Sequence, residues 1–290
     1  MMLLADAAPR APSAREVMAR AEGENFPVAS RVLPRRVRAH LLAVYGFARL
    51  VDELGDSAPG DRLAALDWLE GELALAYEGT PEHPLMCRLA ATVRECALPR
   101  EPFRRLIEAN RQDQRVSSYD TWQQLREYCA LSADPVGEIV LGVFGASTPQ
   151  RVALSDSICT ALQLAEHCQD VAEDFTAGRV YLPAEDMRRF GASAAELEPT
   201  ASERDRAPLR AVLGFEVQRA RELLDAGAPL IGQLRGRERL AVAAFVAGGH
   251  AALDAIQHVR CEVMPGAPSA GGARRLRALA RVLRAQRATR

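Results

Sequence analysis

The 290-residue chain contains no lysine, so all 37 of its basic residues are arginine. That absence excludes Schiff-base chemistry and lysine-dependent phosphate loops. It leaves the planar guanidinium as the cation available to any phosphate. Charge of either sign is not in excess, because 38 acids bring the formal net charge to -1. No nucleic-acid partner is expected, and any anion site must be local. The six cysteines (Cys87, Cys96, Cys129, Cys159, Cys168, Cys261) form no CxxC pair and no zinc-ribbon spacing, so they read as reduced, mostly core residues. HExxH and a histidine triad are also missing. The opening MMLLADAAPRAPSARE has too few apolar residues for a signal peptide, and no uninterrupted apolar run reaches bilayer-spanning length. The expectation is a cytoplasmic protein, at most peripheral at the inner membrane face. Convincing period-two alternation is absent, and with it any strand followed by GxGxxG, so nothing suggests a nicotinamide site.

What remains is helix. A hydrophobic content of 48% is enough for a sizeable core. A short helical pattern covers Ser13 to Ala21, and Pro34 opens a long helix reaching about Asp56. DRLAALDWLEGELALAYEG, PLMCRLAATVRECAL, PFRRLIEANRQDQ and TWQQLREYCALSADPVGEIVLGVFG follow with apolar residues at three and four spacing. Another long helix spans Gln150 to Phe175 and is ended by the glycine of TAGRVYLP. Helical stretches from Asp205 to Leu234, Arg237 to Glu262 and Arg274 to Arg287 complete the chain. No linker or internal repeat divides it, so the expected architecture is one all-α domain over 1–290. Its core covers about 13–264, and a basic amphipathic helix covers about 273–288.

Two of the long helices carry acids on a single stripe. Tyr45, Arg49, Asp52 and Asp56 fall within a sector of about 60 degrees at 3.6 residues per turn. Gln163, Glu166, Asp170 and Asp174 repeat the pattern within about 80 degrees. Glu53 and Glu173 point elsewhere. Crowded carboxylates repel and resist losing water, so a helix burying such a face needs a compensating cation. One DxxxD alone reads as a solvated acidic face. Two such pairs, each inside a long apolar helix and each near a glycine-bearing break, point instead to carboxylates facing each other across a bundle. Oxygen donors of that kind suit magnesium, which completes its octahedron with water and phosphate. A diphosphate is the natural guest, with Arg49 and Arg179 as charge-assisted donors. Its departure leaves a carbocation that an apolar cavity shelters from water.

YGFARLVDELGD followed by LQLAEHCQDVAEDFTAGRVYLP resembles the two aspartate motifs of the squalene and phytoene synthases, the head-to-head isoprenoid synthases. The similarity is strongest over about Glu22 to Gly191. ENFPVAS and LSADPVGEIVLGVFG are most similar to the hydroxysqualene-forming branch of the hopanoid pathway. The resemblance implies the all-α isoprenoid synthase fold with a central active-site cavity, and magnesium as cofactor. It implies Asp52, Asp56, Asp170 and Asp174 as magnesium-binding catalytic acids. Tyr45 and Arg49 match the residues one and two turns ahead of the first motif, and Gln163 matches the glutamine opening the second. Tyr128, Arg179 and Tyr181 match cavity or diphosphate contacts, while Asn25 and Phe26 stand where relatives carry a loop covering the diphosphate.

Three departures from the family pattern bear on function. Glu166, an oxygen donor that can still ligate a metal but adds a negative charge, stands where relatives commonly have asparagine. Gln169 replaces an arginine common in condensing members, which suits a protein handling the presqualene intermediate. GGHAALDAI lacks a tyrosine found in some carotenoid-forming relatives. The implied reaction is that of a carbon–oxygen lyase: diphosphate leaves presqualene diphosphate, the cyclopropylcarbinyl cation rearranges, and water captures it as hydroxysqualene. One rival is a head-to-head prenyltransferase making presqualene diphosphate, squalene or phytoene from two prenyl diphosphates such as farnesyl diphosphate. The other is a non-catalytic helical interaction subunit, against which four intact acids speak.

The remaining features read more plainly. His167, His250 and His258 read as buried histidines satisfied by backbone groups, and Trp68 and Trp122 as packing residues. In the tail ARRLRALARVLRAQRATR, Leu276, Leu279 and Leu283 share a face among arginines. This suits either an anionic membrane, into which a thirty-carbon product would partition, or a docked terminal helix. Pathway enzymes are the other partners this reading leaves open.

Overall fold

A computed structural model of the chain describes residues 12–19 and 33–288. It is 74% helical, and the described residues contain no strand, only an isolated parallel bridge between Ser118 and Val180. The chain divides into two compact units, Met1–Arg115 and Val116–Arg290.

The first unit holds α1 (Ala14–Ala19), α2 (Arg35–Asp52), a π-helical turn (Glu53–Ser57), α3 (Arg62–Glu78), α4 (Pro84–Cys96) and α5 (Glu101–Asp113). Local chemistry sets its helix starts. Ser13 and Glu16 close a reciprocal cap on α1, and the Asp61 side chain accepts from the Ala64 amide at 3.0 Å to open α3. Buried Glu72 accepts from the Glu82 and His83 amides, at 3.0 and 2.8 Å, where α4 begins. The apolar stripe read from α2 is the core: Phe47, Leu50 and Leu54 are fully buried with Leu66, Leu69, Leu73, Leu85 and Phe103. Phe47 meets Phe103 edge to face at 5.3 Å.

The second unit contains α6 (Trp122–Ser132), α7 (Asp134–Val143), α8 (Pro149–Gln169), α9 (Val171–Thr176), α10 (Ala184–Phe190), a 3-10 turn (Ala194–Leu197), α11 (Ala207–Gly227), α12 (Leu230–Gln233), α13 (Gly236–His258) and α14 (Gly272–Ala288). Helices α8 and α11 form its central pair. They approach closely because Gly227 has no side chain: a Cβ there would stand 2.7 Å from the Leu154 carbonyl oxygen and 3.0 Å from the Ile158 nitrogen. Buried Asp134 accepts from Arg126 and from Thr160, both at 2.8 Å, pinning α6, α7 and α8 together.

Several boundaries differ from the sequence reading. The TWQQ…VFG stretch is two helices, broken at Ala133 ahead of Pro135. The helix expected from Gln150 to Phe175 is interrupted at Asp170, whose backbone sits at φ -100, ψ 15. Helix α13 is long and apolar enough to cross a membrane by length and composition, with mean hydropathy 1.4, yet 61% of that window is buried inside the protein. Of the cysteines, only Cys129, Cys168 and Cys261 are buried, and Cys87 is exposed. His258 is exposed rather than buried. His250 pairs with a side chain, the Asp225 carboxylate at 3.2 Å, instead of a backbone group.

Candidate active site

The first motif lies at the C-terminal end of α2. Tyr45 is buried on the core side. Arg49, one turn on, places Nη1 3.4 Å from Asp52 Oδ2, with side-chain exposures of 22% and 46%. Asp56 is exposed in the π-helical turn. The i→i+5 bonding of that turn widens it, so Asp56 advances less around the axis than the α-helical reading assumes. Helix α5 packs tightly against the turn: the Asn110 carboxamide occupies the space a Cβ at Gly55 would need. Gln114 Nε2 also donates to the Gly55 carbonyl at 2.9 Å.

The second motif straddles the break between α8 and α9. Gln163 and Glu166 lie on the last turns of α8, Asp170 at the break, and Asp174 on α9. The backbone bonds Asp170 N to Glu166 O at 2.9 Å and Asp174 N to Asp170 O at 2.8 Å keep the two pieces continuous. Gly178, at φ +79, ends the rod as the sequence suggests. The Arg179 amide then returns to the Asp174 carbonyl at 2.8 Å, which brings Arg179 beside the acids.

Burial and like charge shape the electrostatics of this half. The Asp174 carboxyl is pushed up to about 7, first by burial, then by the Asp170 charge, with Glu166 and Glu173 adding and Arg179 opposing. Asp170 is raised as well, by burial and by Glu173. Oxygen donors crowded to this degree fit a hard divalent ion, whose charge would relieve the repulsion. Among the described residues no three or more His, Cys, Asp or Glu side chains form a metal cage of their own. An ion held here would take its other ligands from water and phosphate.

Beside the acids stands an aromatic wall. Tyr181 stacks on Tyr128 at 5.6 Å and on Tyr119 at 6.1 Å, and all three rings are buried. Backbone pairing builds it: Val180 N donates to Ser117 O at 2.8 Å, and Ala184 N to Tyr119 O at 2.9 Å. His167 lies flat on Tyr181, with centroids 4.0 Å apart and planes 13° from parallel. Its Nε2 is 3.4 Å from Gln163 Nε2 and its Nδ1 4.0 Å from Asp174 Oδ2. It is therefore buried as expected, but its neighbours are motif side chains. Burial lowers its pKa to about 3, so the imidazole is neutral. Tyr119 escaped the sequence reading, because only the pairing of 117–120 with 180–185 brings it to the wall. Asn25 and Phe26 lie outside the described residues.

The family model of the squalene/phytoene synthases matches residues 19–284. The chain belongs to that family. It is 36% identical over 216 residues to a hydroxysqualene synthase of Sinorhizobium fredii, covering 73% of this chain and 72% of that one. A hydroxysqualene synthase of Rhodopseudomonas palustris is 37% identical over the same shares. Among solved structures, the squalene synthase HpnC of Alicyclobacillus acidocaldarius is 44% identical, with a TM-score of 0.79 over 85% of this chain and 92% of that one. A dehydrosqualene synthase shares the fold at a TM-score of 0.84 and 24% identity, covering 95% of both chains. An all-α isoprenoid synthase fold and a squalene/phytoene synthase-type enzyme follow, acting on a prenyl diphosphate.

Proposed function

We propose that this family member is a magnesium-dependent hydroxysqualene synthase of hopanoid biosynthesis. It would convert presqualene diphosphate and water to hydroxysqualene and diphosphate in the cytoplasm. The observation carrying the proposal is the second half-site, where half-buried, like-charged acids that need a cation adjoin a wall of three buried tyrosine rings. One end suits a metal-bound diphosphate and the other a carbocation, whose charge a ring face stabilises.

In this reading Asp52, Asp56, Asp170 and Asp174 hold magnesium, with Glu166 as a further ligand. Magnesium, when bound, would stabilise the charge of the departing diphosphate as a Lewis acid. Arg49 and Arg179 donate to its oxygens. Tyr128 and Tyr181, joined by Tyr119, exclude bulk water from the cation and leave a controlled path for the one that adds. Gln163 and neutral His167 hold the Tyr181 ring in place.

Gln169 supports the choice within the family. Its Nε2 donates to the Pro268 carbonyl at 2.5 Å, so the position commits a neutral amide to the 259–271 loop. An arginine there would instead offer a cation to a second diphosphate. The hydroxysqualene synthases among the relatives support the same assignment.

The test is mass analysis of products from purified protein and magnesium, with presqualene diphosphate and farnesyl diphosphate supplied in parallel. Hydroxysqualene from the first and no condensation of the second is the expected result. Consumption of farnesyl diphosphate would transfer the assignment to a condensing prenyltransferase. Inertness toward both would remove the catalytic reading.

A further inference from the structure

Helix α14 does not pack its leucine face inward. The residues packed inward, toward α13, are Ala278 and Val282, at 2% and 8% exposure. Leu276 is 69% exposed, the most exposed large hydrophobic side chain described. At 3.6 residues per turn, Leu276, Ala280 and Leu283 lie within about 60 degrees of one another on the outer side, with Arg277 and Arg284 along one edge. Arg277, Arg281 and Arg284 also rim a shallow groove of about 550 Å³ floored by Ala280 and Ala285.

The segment that carries this ridge has charge of one sign. From Val263 to the C-terminus the chain has seven arginines and no acid. Arg281 is engaged by Asp254 at 3.6 Å, whereas Arg277 and Arg284 extend from exposed positions. A narrow apolar ridge edged by guanidinium groups is unsuited to water or to a purely polar polyanion. It matches the interface of an anionic bilayer, where leucine enters the acyl boundary and arginine meets the phosphates.

We infer that the outer face of α14, centred on Leu276, Arg277, Ala280 and Arg284, docks the protein on a membrane surface bearing anionic phospholipid. The inference does not depend on which prenyl diphosphate the enzyme uses. Docking would place a protein with a water-insoluble product against the phase that accepts it.

The experiment is co-sedimentation of the full chain with phosphatidylcholine vesicles, with and without phosphatidylglycerol, at low and high salt. Binding is expected only with the anionic lipid and should weaken with salt. Each arginine near an anionic surface contributes about fivefold in affinity, so the R277Q/R284Q double variant should bind roughly 25-fold more weakly. Leu276→Ser, with every arginine kept, should also lose affinity, which simple counter-ion attraction does not predict. Circular dichroism of both variants should match the parent, since all three side chains are exposed. Absence of binding by the parent, equal binding by either variant, or duplex DNA binding as tight as vesicle binding at the same salt would each overturn the inference.

Discussion

Replacing Arg219 by methionine removes one cation from between two buried carboxylates, and the structure sets what that should cost. Arg219 Nη1 lies 2.6 Å from Glu216 Oε1 and 2.9 Å from Asp186 Oδ2, on acids only 1% and 5% exposed. Its guanidinium also lies 4.6 Å from the Trp122 ring and 4.7 Å from the Phe215 ring. Glu216 Oε2 is buried with no hydrogen-bond donor among the described residues. Burial pushes the Glu216 carboxyl up to about 7 even with Arg219 opposing it. A folded-state value above the unfolded one means that the native state binds the extra proton between about pH 4.5 and 7, so this group's contribution to stability declines as pH rises through that window. Without Arg219 the carboxyl titrates higher still, and its ionised form has no partner. Breaking a buried pair costs about 3–5 kcal/mol when the remaining charge persists. Methionine keeps much of the packing, so at about pH 8.5 Arg219→Met should lose stability of that order, and at about pH 5, where Glu216 is protonated, roughly half as much. Urea unfolding followed by circular dichroism at the two pH values measures both, and Glu216→Gln should flatten the pH dependence of the parent. A loss under about 1 kcal/mol at the higher pH, or one of equal size at both, would refute the buried-charge account.

Asp52→Asn and Asp170→Asn should each lower turnover by at least about a hundredfold, given that metal-assisted charge stabilisation is worth several kcal/mol, with helix content unchanged. Near-parental diphosphate release from both variants would remove the two motifs from the chemistry. Gly227→Ala should destabilise by about 1–3 kcal/mol, because the added methyl meets the α8 backbone at Leu154 and Ile158 as well as the Ile158 side chain. Thermal unfolding of that variant checks it, and an unchanged midpoint would contradict the close approach of α8 and α11.

The rods were legible because apolar residues at three and four spacing survive any local variation in propensity, and glycines such as Gly178 mark where a rod stops. What stayed hidden was non-local. The π-helical turn at Glu53–Ser57 interrupts no sequence pattern, since Leu54 continues the apolar stripe and is buried. Its partners are Asn110 and Gln114, more than fifty residues away in the chain. The break at Asp170 falls in QDVAED, which contains neither glycine nor proline. On α14, periodicity favoured a leucine seam, yet small Ala278 and Val282 face inward where two helices pack closely, and Leu276 is left outside. Side-chain size at the contact decided the face, and a hydropathy pattern does not register it.

His167 shows how burial, and not residue type, assigns a role. A histidine one position from Glu166 and 4.0 Å from Asp174 would pair with that carboxylate if it were charged, cancelling the negative charge on which the proposed ion depends. Enclosure against Tyr181 prevents this by holding the ring neutral, with a pKa of about 3. The same enclosure raises the Asp174 carboxyl, so one apolar environment acts on two neighbours in opposite chemical directions: it withholds the proton from the base and favours it on the acid. The first shift withholds a positive charge from the metal-free pocket, and only the second brings that pocket closer to neutral. A dication would reverse only the second, since it favours the ionised carboxylate and gives an imidazole no reason to protonate. That asymmetry makes Asp174 the responsive member of the pair and His167 the fixed one, a neutral plate that orients Tyr181 and Gln163 whatever the charge state beside it.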